Sequence, residues 1–110
     1  MSAIHELGAL DLWRLLHARQ LSAVEVAEHF LDRIDRLDEA NAIVHVDAEL
    51  ALARARAVDD ADDRTGLIHG LPFADKDLTR RAGQPASLGS RWQEGVIADV
   101  TDPVASVLDA

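Results

Sequence analysis

Ser22 and Glu25 stand directly ahead of an apolar repeat, and this S-x-x-E pattern is a strong signal for the start of a helix. The serine hydroxyl can accept from the amide three positions on, while the glutamate reaches back to the serine amide. Leu21 and Val26 occupy the two places where a hydrophobic staple closes. The spacing predicts a helix from Ala23 to about Leu37. Its Ala23, Ala27, Phe30, Ile34 and Leu37 recur every three or four residues and form one buried face, while Asp32 and Arg36 can pair one turn apart outside it. Such a face needs a cover. Upstream, Leu10, Leu12, Trp13, Leu15 and Leu16 follow the same period behind Gly8 and Asp11, predicting a helix over about Ala9 to Ala18 and a helical hairpin over 9–37.

After Asn41 the pattern changes to a short β-branched run, Ile43, Val44, His45 and Val46, which reads as a strand. Asp47 is placed as an N-cap for an alanine-rich helix from Ala48 to about Asp62, which Gly66 ends. Beyond Gly66, glycines and prolines at 70, 72, 83, 85, 89, 95 and 103 cut the chain into the short pieces typical of loops around a site. Leu71 to Lys76 is the favoured strand there, with Pro72 tolerable near its beginning. Pro103 can open a last helix through Val104, Val107 and Leu108, too short to persist without tertiary support.

Charge and composition narrow the partners. The 110 residues carry a formal charge of −9, with Arg80 and Arg81 as only a two-residue basic spot, which argues against a nucleic-acid partner. No stretch approaches the roughly 20 apolar residues that cross a bilayer, so no membrane partner is expected. Cysteine is absent, removing disulfides and thiolate metal sites together and fitting a reducing, cytoplasmic setting. Every basic residue other than the histidines is arginine, except Lys76. Arginine keeps its proton under protein conditions, whereas a desolvated lysine can serve as a base. A lone lysine can also survive by chance in an arginine-biased composition.

Three common site patterns fail. The histidines at 5, 17, 29, 45 and 69 make no H-x-x-x-H pair or compact ligand set, so no metal site is expected. The acidic cluster Asp59, Asp60, Asp62 and Asp63 lacks the order of a calcium loop and reads as a solvated helix end. No G-x-S-x-G elbow surrounds Ser87, Ser90 or Ser106, and no S-x-x-K leads to Lys76.

The passage from His69 to Ser90, HGLPFADKDLTRRAGQPASLGS, resembles the stretch of amidase-signature enzymes in which a His-Gly-Val-Pro strand leads to a Lys-Asp pair and then to Ala-Gly and Gly-Ser. Upstream, Leu21 to Glu25, Arg33-Ile34, Asn41-Ala42 and Asp47-Ala48 follow the same family's order, so the resemblance covers essentially the whole chain. It implies that Lys76 is the distal base of a Ser-Ser-Lys triad, taking a proton through a bridging serine from the serine that attacks an amide carbonyl. A lysine desolvated beside hydroxyls has its neutral form favoured, and a positioned base turns a weak hydroxyl into a nucleophile. Neither family serine can be carried over to Ser87, Ser90 or Ser106. Ser90 matches a Gly-Ser position that helps build the site wall, and Asp77 matches the lysine's usual successor. Asp75 departs from the pattern, in which the preceding residue is commonly apolar. On a strand Asp75 and Lys76 point to opposite faces, and an unpaired carboxylate on a buried side would be expensive.

The resemblance further implies an α/β fold, an α/β/α sandwich around a mixed sheet. Residues 1–110 would supply its N-terminal part: the hairpin over 9–37, then the first strands and helix of the core over 41–110, short of the catalytic serines. The expected activity is cleavage of a small-molecule carboxylic amide by side chains alone, with no cofactor. The chain by itself would be inactive, its partners being the missing C-terminal segment or another copy of itself. Gly89-Ser90 looks closer to free-standing amidases than to the amidotransferase subunit that works on misacylated transfer RNA. The alternatives are a non-catalytic acidic interaction module and one half of a split amidase.

Overall fold

The computed structural model describes residues 2–63 and 66–110. Among them are four α-helices: α1 (Ala9–His17), α2 (Ala23–Leu37), α3 (Ala48–Asp60) and α4 (Pro103–Asp109). Short 3-10 turns lie at Ile4–Glu6 and Arg91–Gln93. The chain divides into two compact units, Met1–Pro72 and Phe73–Ala110.

The N-terminal unit is organised around the start of α2, where all four leading amides are bonded. Ser22 N donates to Glu25 Oε2 at 2.9 Å, and Glu25 N to Ser22 Oγ at 3.0 Å, completing the expected capping box. The two amides between them, of Ala23 and Val24, donate to the two oxygens of Asp59 at 2.8 and 3.0 Å. Asp59 therefore belongs to the cap of another helix rather than to a solvated end. In return, Arg19 donates to the carbonyls of Asp59 and Ala61 at 3.2 and 2.7 Å, closing the end of α3. Arg19 sits in the left-handed region at φ 54, and the bonds Gln20 N to Leu15 O and Arg19 N to Leu16 O finish α1 in a Schellman arrangement.

The core of this unit gathers Leu12 and Leu16 from α1, Ala23 and Val26 from α2, and Ala55 from α3, with Leu21, Phe30, Val58 and Leu71 packed against it. Leu21 and Val26 thus meet the same core, as the staple requires. The sequence paired α2 with α1, whereas α2 packs most extensively along α3. Its expected face is buried at Ala23 and packed at Ala27 and Phe30, but Leu37 is 52% exposed because the cover ends before the last turn. Asp32 and Arg36 form the expected exterior pair at 2.6 Å, and Asp47 caps α3 by accepting from Leu50 N at 2.9 Å. The α3 helix stops at Asp60 rather than about Asp62, since Ala61 is already extended.

Losing a serine cap costs about 1 kcal/mol. Ser22→Ala should lower the melting temperature and the helicity of the unit by circular dichroism, and an unchanged melt would remove the cap's role. The amide and hydroxyl of Ser22 hold the Glu25 carboxyl below its usual range. A depressed folded value means that the stabilisation is present above the unfolded value and lost as pH falls through the folded one. Helicity of α2 should accordingly decline on acidification below the usual glutamate range, and less so in Glu25→Gln.

Two expected strands are corrected. Among the described residues, 43–46 and 71–76 are irregular, and no strand forms. A β-branched run supplies propensity, but a strand exists only where a neighbour accepts its ladder bonds. The α/β architecture expected over 41–110 is therefore not built by these residues themselves. The C-terminal unit has one isolated antiparallel bridge, between Pro85 and Ile97, flanked by Gly83 N to Ala98 O and Ala86 N to Val96 O at 2.8 and 2.9 Å. Its buried side chains are only Ala86, Ala98 and Ala105, while Trp92 is 97% exposed and Leu78, Ile97 and Val107 also face outward. Pro103 opens α4 as expected.

Candidate functional site

The HGLPFADKD passage runs across the boundary between the units, with His69 to Pro72 in one and Phe73 to Asp77 in the other. Gly70 has φ 89, and a Cβ there would lie 3.4 Å from Val58 Cγ1 and 3.5 Å from Leu16 Cδ1. The positive φ is what calls for glycine at this point, those separations being ordinary van der Waals contacts.

Lys76 ends an irregular stretch, its carbonyl accepting from Thr79 N at 2.8 Å. Its side chain is exposed, and among the described residues its amine makes no hydrogen bond or ion pair. Ser87, Ser90 and Ser106 are not bonded to it. Ser90 is half-buried after two left-handed residues, Leu88 at φ 52 and Gly89 at φ 70. Its amide donates to Ser87 O at 2.9 Å and its carbonyl accepts from Gln93 N at 3.0 Å, so its backbone anchors the turn at Arg91–Gln93.

Asp75 is paired. Arg81 Nε donates to its Oδ2, and Nη2 lies 3.4 Å from Oδ1. The same guanidinium reaches Asp109 in α4 through Nη1 and stands 5.7 Å from the Phe73 ring centroid. Arg81 is only 12% exposed and Asp75 23%, which makes this the most enclosed ion pair among the described residues. The bonds to Asp75, and then to Asp109, hold Arg81 yet more firmly protonated than a free guanidinium. Neighbouring Arg80 donates through its amide and side chain to Asp102, both at 2.8 Å, which keeps the Asp102 carboxyl below its usual range. Arg80 and Arg81 are thus an internal clamp, not a basic spot. Sequence reasoning missed them because their partners lie as far as 28 residues away.

Chemically, these residues present one exposed amine beside a neutralised carboxylate. Among the described residues no hydroxyl is hydrogen-bonded to that amine, and no three His, Asp or Glu side chains gather as a metal site. No helix among them is long and apolar enough to cross a membrane.

Comparison with known proteins places this geometry in context. The profile of the family described as Amidase matches residues 25–110, which include α2 from Glu25 on, Lys76 and α4. A glutamyl-tRNA(Gln) amidotransferase subunit of Burkholderia pseudomallei (strain K96243) is 43% identical over 90 residues, covering 80% of this chain. The corresponding subunits from Burkholderia thailandensis and Burkholderia mallei (strain SAVP1) are 43% and 42% identical over 90 residues. Since these relatives belong to amidotransferases, they lend no support to the leaning of Gly89-Ser90 toward free-standing amidases. The chain spans 18% of the length of each. No solved structure matches it. With its profile match running from Glu25 in the first turn of α2 through the Lys76 loop to the last helix, the chain belongs to the amidase family.

Proposed function

We propose that residues 1–110 form the N-terminal part of an enzyme that hydrolyses a carboxylic amide, with Lys76 as the base of a Ser-Ser-Lys triad and Ser90 in the site wall. The observation that carries this reading is the position of Lys76. The chain's single lysine falls inside the matched segment, in the Lys-Asp pair that follows the His-Gly-Leu-Pro turn. The relatives' name makes transfer of an amide group the nearest chemistry, and a multi-subunit setting accords with it. The charge of −9 argues that any RNA contact in such an assembly is made by other parts.

In this reading 43–46 and 71–76 are strands in waiting. Each becomes ordered when the rest of an α/β/α amidase core supplies the ladder that these residues lack here. The outward-facing Leu78, Trp92, Ile97 and Val107 are what such a core would cover. These 110 residues alone are inactive, because a base accelerates only when a nucleophile lies within hydrogen-bond reach.

The test is amide turnover by the purified chain, alone and after the remaining amidase segment is added as a second chain. Activity that appears only on assembly supports the proposal. Lysine-dependent turnover by the chain alone would show that Ser87 or Ser90 serves as nucleophile and would end it. Absence of any Gly/Ser-rich coding segment after codon 110, in any frame, would instead favour the non-catalytic interaction module.

A further inference from the structure

A lysine that must act as a base has to be found in its neutral form, and a carboxylate free to approach the amine works against that by favouring the ammonium. Asp75 and Asp77 flank Lys76 directly. In this structure Asp75 is bonded by two nitrogens of Arg81, whose third nitrogen is anchored on Asp109 of α4. Phe73 lies against the same guanidinium. Arg80, the other nearby cation, is occupied by Asp102, so both arginines are engaged by aspartates. The stretch carrying Asp75 and Lys76 has no ladder bonds of its own, so the Arg81 fork is the tie that fixes which way Asp75 faces.

We propose that Arg81 is a positioning residue for Lys76: it holds the neighbouring Asp75 carboxylate away from the lysine, leaving the amine without an acidic partner. The arrangement also accounts for a carboxylate at the position where the family commonly has an apolar residue, since Asp75 is supplied with a charge partner. The inference rests on Lys76 being the base. Its test reads the surroundings of the amine whether or not the assembled enzyme turns over, so the two can fail separately.

Because Lys76 is the only lysine, an amine reagent reports on it directly, and peptide mapping separates it from the N-terminal amine. The measurement is the rate of Lys76 acetylation by acetic anhydride between pH 7 and 10, on the whole 110-residue chain. Only the neutral amine reacts. In Arg81→Met the released Asp75 should slow Lys76 labelling by about two- to fivefold, the range an exposed ion pair supports, and 1 M salt should erase most of the difference. Asp75→Asn combined with Arg81→Met should return the wild-type rate, a rescue that a merely structural role would not produce. Asp109→Asn loosens the clamp while leaving Asp75 held, and should leave the rate unchanged. A level or faster rate in Arg81→Met overturns the proposal, as does a double variant as slow as the single one, or an equal slowing in Asp109→Asn.

Discussion

In the complete enzyme, Lys76→Arg lowers amide turnover by about two to four orders of magnitude, the range a general base contributes. Arginine preserves the positive charge and most of the reach but cannot give up its proton, so the substitution removes the base function specifically. The loss should fall on kcat, with KM little changed, because in the proposed triad the lysine acts on the proton of the attacking serine and not on substrate binding. A Lys76→Ala variant partly restored by added alkylamines would strengthen the assignment. Turnover within threefold of wild type in Lys76→Arg would mean that another group takes the proton, and the triad reading would fall with it. Since no hydroxyl among the described residues is hydrogen-bonded to Lys76, the assay is made with the rest of the proposed amidase domain in place.

What the sequence reveals here depends on how locally each feature is determined. The start of α2 was legible because Ser22, Glu25, Leu21 and Val26 lie within six residues and their chemistry permits one arrangement. The Asp47 cap and the Pro103 start were legible for the same reason. Ile43 to Val46 and Leu71 to Lys76 carry strand propensity, but strand formation is decided by a partner's backbone, which no run of side chains encodes. Lys76 could be singled out by composition and then by resemblance, whereas its surroundings could not. Arg81 finds Asp75 six residues back and Asp109 28 residues ahead, and only the turns at Gly83, Gly89 and Gly95 bring the second of these within reach. Asp59 is easily misread because an acidic helix end on the surface and an acidic cap for a distant helix look alike in one dimension.

That second kind of contact carries the largest stability effect expected in the N-terminal unit. Asp59→Ala removes the acceptor of two adjacent amides, Ala23 N and Val24 N, at the positively polarised end of α2. Hydrogen bonds to a charged group contribute about 1.5–3 kcal/mol each, and Ala23 is buried. The cap also lines an open cleft with Arg19, Ser22 and Glu25, so water can replace part of what is lost. A net cost of about 3 kcal/mol follows, at the low end of the sum of two isolated bonds and well above the roughly 1 kcal/mol expected for Ser22→Ala. For a unit of this size, with total stability on the order of 5–15 kcal/mol at most, that is a large share. Asp59→Asn keeps one oxygen acceptor and should cost about half as much. Arg19→Ala removes the return bonds to Asp59 O and Ala61 O, so its effect and that of Asp59→Ala should be less than additive, each having already loosened the junction of α1, α2 and α3. Urea titrations of the four single variants and of the Arg19→Ala/Asp59→Ala double variant, followed by helical circular dichroism, give the comparison. A midpoint in Asp59→Ala no lower than in Ser22→Ala would show that the carboxylate is replaced by water at no cost, and the interlocked caps would not be what holds these helices together.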